Sequence, residues 1–348
     1  MELEHAQENE LNSVVVYFKP MRSSFGLLNK IVNVFHYLSA HAKGLRFIRE
    51  NFGEHDIIHA YILLRPAIVA YYKKLTQRKP FIISEQWSGF VTGKFEEKNS
   101  VAKMLTRFVV KKANAVTVVS EFLKSHMIRN RVEGNFSVIP NVIEPPLISP
   151  ASRDSNKIIF LSVADLVDEI KNISGTIRAF AEVISRHPDS ELQIIGEGKD
   201  RKMLERLSEE LNLLNRSIFF HGLKSNAEVY RSLVNSDVLV MNSNFETFSL
   251  ICAEAISCGK PVLATRCGGP QEFVTEETGI LIDPRSHDQL ILGMEQLILN
   301  HQRYNPEKLK QYAQEKFSAP VIGRRFFGIY ESLLKPFEND NSFRDQNV

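Results

Sequence analysis

Glu246 and Glu254 are the residues of this chain best placed to do chemistry, eight positions apart within residues 242–284, NSNFETFSLICAEAISCGKPVLATRCGGPQEFVTEETGILIDP. Residues 237–241 (DVLVM) have the composition of a short buried strand. The apolar positions of 248–258 recur at helical spacing until Gly259-Lys260-Pro261 ends the pattern. Glu246 therefore lies on a strand-to-helix turn. Thr247 to Glu254 spans about two helical turns, which lets both carboxylates face one ligand. The first amides of that helix, at Thr247, Phe248 and Ser249, have no partner inside it and carry the positive end of its dipole, which suits a phosphate. A carboxylate beside a phosphate would repel it, so the glutamates are expected to accept hydrogen bonds from hydroxyls. An anion together with hydroxyls implies a nucleotide sugar.

The ordered run of Glu246, seven residues, Glu254, then Gly259 to Val262 and the Gly268-Gly269 turn resembles the hallmark of the retaining glycosyltransferase family 4 (glycosyl transferases group 1), of the GT-B fold. Two glutamates at this spacing alone are weak, since charged helix faces produce them often; the whole run is specific. The resemblance implies that Glu246 holds the transferred sugar and Glu254 the ribose hydroxyls. It implies further that Lys171 neutralises the diphosphate and that the turns at Gly196, Gly198 and Gly222 lie near the base. A solvated lysine and ordinary tight turns are the bland readings of the same residues. The triplet Ala164-Asp165-Leu166 stands where relatives often carry an arginine, so one phosphate cation is absent.

In the first half, IISEQWSGFVTG (residues 82–93) resembles a family turn whose histidine approaches the reacting sugar. Here that position is Gln86, which donates and accepts hydrogen bonds but is neither acid nor base near neutral pH. Gln86 thus joins Glu246 and Lys171 as a candidate catalytic residue, with Glu85 and Trp87 on the acceptor side. Trp87 is either a sugar platform or a packing residue. Ser120-Glu121 resembles a family turn, with a helix cap as the plain alternative, and His59 reads as a satisfied core histidine.

Length and composition agree. With 348 residues, 43% hydrophobic and 24% charged, the chain can build two globular domains. Its longest apolar stretch, 57–64 and 67–72, is broken by Arg65 and Pro66 and is too short to span a bilayer. The polar, acidic first ten residues do not read as a signal peptide, and a cytoplasmic location is expected. The three cysteines, Cys252, Cys258 and Cys267, fit neither a zinc site nor a CxxC pair and read as buried thiols. Without a DxD-like pair, no metal and no cofactor is expected; the nucleotide sugar is a substrate.

Strand-like runs at 14–18, 56–61, 80–85, 115–120, 136–140, 158–164, 192–196, 217–222, 237–241, 261–265 and 279–282 alternate with amphipathic stretches such as 28–50, 173–187 and 201–214. That alternation implies an α/β fold with parallel sheets covered on both faces. The resemblance makes it GT-B: two Rossmann-like doubly wound domains facing a cleft, with ligands beyond the carboxyl ends of the strands. The proline-rich stretch 144–156 reads as the linker. Expected units are an acceptor-side domain (11–146), a nucleotide-sugar domain (157–318) and a C-terminal helix returning to the first domain (319–335), followed by a frayed polar tail (339–348). Compared with the family, the first domain lacks its opening βαβ unit, so an N-terminal truncation and an exposed sheet edge are expected.

Residues 1–150 carry 20 basic against 13 acidic side chains, +7, whereas the remainder carries 23 against 28, −5. Lys103, Arg107, Lys111 and Lys112, interleaved with apolar residues, suit either an anionic membrane surface or solvent. Nucleic acid is not implied, because the signature already accounts for a phosphate ligand and the aromatics are not interleaved with the basic positions as a stacking platform. The expected activity is metal-independent transfer of a hexose, with retention, from a UDP- or GDP-sugar to a glycan or lipid-linked glycan in surface polysaccharide synthesis. A catalytically impaired nucleotide-sugar-binding or partner-binding remnant is the alternative. A GT-B epimerase is weakened by Gln86.

Overall fold

The computed structural model describes residues 1–8, 11–22, 26–63, 65–151 and 157–334. The end of the linker and the 339–348 tail lie outside them.

Twelve strands and twelve α-helices follow one another among the described residues. The first part holds β1 (Glu2–Glu8), β2 (Leu11–Tyr17), α1 (Gly26–Phe52), β3 (Ile58–Tyr61), α2 (Arg65–Gln77), β4 (Phe81–Glu85), α3 (Ser100–Lys112), β5 (Ala115–Val118), α4 (Glu121–Arg129) and β6 (Phe136–Val138). The second holds β7 (Ile158–Val163), α5 (Asp168–Lys171), α6 (Ile173–Arg186), β8 (Ser190–Ile195), α7 (Arg201–Glu210), β9 (Ile218–Phe220), α8 (Asn226–Asn235) and β10 (Val238–Met241). It continues with α9 (Leu250–Ser257), β11 (Val262–Thr265), β12 (Gly279–Ile282), α10 (His287–Asn300), α11 (Pro306–Phe317) and α12 (Ala319–Leu334).

Two parallel sheets carry the fold, ordered β3-β4-β5-β6 and β12-β11-β10-β7-β8-β9. Strands β4, β5, β10 and β11 are buried at every residue, as strands covered by helices on both faces must be. In the second sheet the order reverses between β7 and β10, and a crevice opens there beyond the carboxyl ends of the strands. Lys171 follows β7 and Glu246 follows β10.

Residues 14–18, expected as part of the parallel alternation, belong instead to an antiparallel hairpin of β1 with β2, apart from both parallel sheets. The polar alternation of ELEHAQE hid β1, because its strand-forming partner lies across the hairpin rather than in its own composition. The half-buried positions of β2 are Val14 and Val16, and Val16 packs near Gly44 of α1.

Helix α12 lies against the first sheet. Tyr330 there meets His59 Nδ1 at 2.7 Å, His59 Nε2 meets Ser84 Oγ at 2.7 Å, and Ser84 Oγ meets Thr117 Oγ1 at 2.5 Å. His59 is thus a satisfied, half-buried histidine, and burial lowers its pKa. Neutral His59 is favoured in the folded state, so its contribution is fully present above the unfolded value of about 6.5 and is lost as pH falls through the lowered folded value. A His59→Gln variant should therefore lose less thermal stability than the parent between neutral and mildly acidic pH. Parallel losses in both proteins would refute this.

Candidate functional site

The crevice between β7 and β10 brings Lys171 and Glu246 together. After β7 the chain makes the short helix α5 and turns through Asn172 in the left-handed region (φ 48) before α6, which leaves Lys171 at the break. Lys171 Nζ donates to Glu246 Oε1 at 2.6 Å. Ser243 Oγ donates to the same oxygen at 2.8 Å. The ion pair is half-buried, its side chains 23% and 15% exposed.

The backbone of Glu246 is fixed as firmly as its side chain. Its amide donates to Cys267 O and its carbonyl accepts from Gly269 N at 2.9 Å, giving a parallel bridge to Gly268. Gly268 has φ 125 and ψ −112, a conformation open in practice only to glycine. The Gly268-Gly269 turn is thereby bolted to the turn that carries Glu246.

The helix after Glu246 starts later than the apolar pattern implied. Ser249 takes a left-handed conformation (φ 73) as N-cap, and α9 begins at Leu250. Its open first-turn amides are those following Ser249, not those at Thr247, Phe248 and Ser249. Phe248 is buried, with its ring 5.2 Å from Phe273 and 5.6 Å from Phe317. That packing pulls the chain inward before the helix can start. Ser249 is buried too, and its hydroxyl donates to Cys252 Sγ.

Glu254, in the second turn of α9, accepts from Tyr230 Oη of α8 at 3.4 Å. Burial raises its pKa, partly offset by that hydroxyl, and burial also raises Tyr230. Glu254 and Glu246 therefore use different neighbours, Tyr230 on one side and Lys171 on the other.

Gly196 and Gly198 serve close backbone approach. A Cβ on Gly196 would stand 1.8 Å from Ala164 O, and one on Gly198 would stand 2.4 Å from Leu166 O. The strand-end turns after β7 and β8 are consequently packed backbone to backbone, with Leu166 N donating to Glu197 O. Gly222 (φ 69) accepts from Gly196 N and lies beside Arg201 and Glu197, which form an ion pair. Asp165 is exposed on this rim.

On the first domain Gln86 is exposed at the end of β4. Glu85 beneath it is only 1% exposed; its carboxylate accepts from the amides of Gln86 and Trp87 at 2.7 Å and of Leu63 at 3.1 Å. Burial pushes this carboxyl up while the three amides pull it down. Glu85 thus shapes the turn that presents Gln86 and does not face solvent. Lys98 Nζ stands 4.1 Å from the Trp87 ring centroid, and a Cβ on Gly89 would overlap the same ring. The structure places Trp87 in packing contacts around a cavity of about 150 Å³ with Glu85 and Phe95.

All three cysteines are buried and free. Burial pushes Cys258 up to about 11 and Cys267 to about 12, so both stay protonated near neutral pH. Two residues of the site were missed from the sequence: Ser243, bonded to Glu246, and Tyr230, bonded to Glu254. Ser243, three residues before Glu246, was within reach of local reasoning. Tyr230 acts from 24 residues away, on another helix, with no local signal.

Comparison with known proteins bears on this geometry. The family model described as "Glycosyl transferases group 1" matches residues 147–316, and that for "Glycosyltransferase Family 4" matches 6–146. An uncharacterized glycosyltransferase of Methanocaldococcus jannaschii is 24% identical over 81% of this chain and 76% of its own. The N-acetyl-alpha-D-glucosaminyl L-malate synthase of Bacillus anthracis is 24% identical over 84% of this chain and 77% of its own. Among solved structures, sucrose-phosphate synthase from Thermosynechococcus elongatus superposes with a TM-score of 0.77 at 20% identity, covering 95% of this chain and 85% of that one. Anabaena HepE in complex with UDP and glucose gives 0.69 at 18% identity, covering 84% and 82%.

Proposed function

Since this chain belongs to the group 1, family 4 glycosyltransferases of the GT-B fold, we propose that it transfers a hexose, with retention, from a UDP- or GDP-sugar to a glycan or lipid-linked glycan hydroxyl in surface polysaccharide synthesis. The observation that carries this reading is the Lys171–Glu246 pair at the reversal between β7 and β10. In it, Lys171 keeps donors free for the diphosphate, while both protein bonds to Glu246 fall on Oε1, so Oε2 meets a sugar hydroxyl. A bond forms between the acceptor oxygen and the anomeric carbon as the bond from that carbon to the diphosphate breaks. The departing phosphate oxygen takes the acceptor proton on the same face. Lys171 and the α9 amides supply the counter-charge, so no metal is required in this reading. Glu254 holds the ribose, and Gln86 presents the acceptor from the opposite wall.

A relative solved with UDP and glucose supports a uridine donor. The test is to mix the purified chain with radiolabelled UDP- and GDP-sugars and follow nucleotide release and transfer. Turnover with one of them is expected. Binding without turnover would replace this reading with the binding remnant, which Gln86 in place of a histidine and Asp165 in place of an arginine favour.

A peripheral position on the cytoplasmic membrane face is part of the proposal. No helix among the described residues is long and apolar enough to cross a membrane. Helices α2 and α3 pack together, with the Tyr71 and Phe108 rings 5.3 Å apart; Tyr72 and Leu75 are exposed on α2, and Val101 and Met104 on α3. Lys111 and Lys112 are exposed on the last turn of α3. Exposed apolar side chains together with these lysines suit anionic lipid. Co-sedimentation with anionic vesicles, weakened in Met104→Glu, is expected; equal recovery of both proteins in the supernatant would refute it.

A further inference from the structure

Helix α4 of the first domain is capped from the second domain. Its N-cap Ser120 accepts at Oγ from Leu123 N, at 3.0 Å. The remaining open amides, Glu121 N and Phe122 N, donate to the two oxygens of Glu272, at 3.0 and 2.7 Å. One carboxylate thus makes two charge-assisted bonds at the positive end of a helix, about 150 residues away in sequence. Beside it, the Phe122 ring lies on Gly268 so closely that a Cβ there would stand 2.4 Å from two ring carbons. Gly268 is the residue bridged to Glu246.

A continuous chain of contacts therefore runs from α4 through Glu272 and Phe122 to the Gly268-Gly269 turn, then to Glu246 and Lys171. We propose that Glu272 is a positioning residue: it clamps the first domain onto the turn that fixes Glu246, so the two walls of the cleft and the Lys171–Glu246 pair are set together. The proposal rests on the assignment of Glu246 to the transfer site. Glu272 touches no reacting atom; it acts through the turn. An ordinary helix cap would stabilise α4 and leave that turn unmoved, which separates the two roles.

The test compares the full chain with Glu272→Ala and with Glu272→Gln, which keeps one acceptor oxygen. Amide exchange is followed in peptides covering 120–124, 244–250 and 267–271. In the alanine variant, exchange should rise about tenfold or more both at the α4 start and at Gly269, whose amide is bonded to Glu246. The glutamine variant should fall between. In the transfer assay, kcat should drop about tenfold or more, while Kd for UDP and GDP changes less than about threefold. Faster exchange confined to 120–124, or a lowered Tm with kcat intact, would reduce Glu272 to a cap and overturn the proposal. Exchange is read without ligand, so a parent protein that neither binds nucleotide nor transfers sugar would sink the functional reading while the clamp is still decided.

Discussion

Lys171→Met should lower the transfer rate constant by about 100- to 1,000-fold, the usual cost of removing one preorganised donor to a developing negative charge. Two effects act in the same direction. The variant lacks the ammonium that meets the departing diphosphate. It also leaves Glu246, 15% exposed, with Ser243 as its one remaining side-chain donor, so an unbalanced carboxylate faces the diphosphate and repels it. The double variant Lys171→Met, Glu246→Gln removes that repulsion and should bind UDP more tightly than Lys171→Met alone, without recovering transfer. Single-turnover kinetics with calorimetric nucleotide binding separate the two effects. A loss of transfer below about tenfold would show that Lys171 does not act on the leaving group.

Gly268→Ala is expected to cost about 2–4 kcal/mol of stability, from backbone strain and overpacking together. At φ 125 and ψ −112 an L side chain is strained. The added Cβ would also stand 2.4 Å from Phe122 and 2.6 Å from the carbonyl of Glu246, so neither the ring nor the backbone can yield cheaply. Gly53→Ala is the control: its φ is also positive, at 89, but nothing lies within 4 Å. Urea unfolding of both variants measures the difference. Equal losses would mean that strain alone matters and that the contact with Phe122 contributes nothing.

Much of the parallel architecture was legible because each strand is short, apolar and bounded by turns, and each helix carries its own apolar period. The runs at 237–241 and 261–265 became β10 and β11, adjacent central strands, in the expected order. The segment 173–187 became α6, one buried face and one exposed. The start of α9 was misplaced because the apolar residue Phe248 reads as helical by spacing but is drawn into a cluster with Phe273 and Phe317, partners the local pattern does not contain. Residues 14–18 were rightly strand-like yet assigned to the wrong sheet, since pairing depends on the partner strand.

The amino-acid sequence by itself determined the α/β alternation, the family and the identity of Glu246 and Lys171 as charged groups beyond strand ends and of Glu254 as one on the helix that follows, because these follow from local periodicity and from motifs confined to short segments. Only the tertiary structure decided that Lys171 reaches Glu246, that Tyr230 holds Glu254, that Glu85 is walled in by amides and that Glu272 closes the start of α4. Apart from the neighbouring Gln86 and Trp87 amides on Glu85, each of these depends on hydrogen-bond geometry between segments 22 to 151 residues apart, where angstrom-scale position, rather than residue type, sets which donor meets which acceptor.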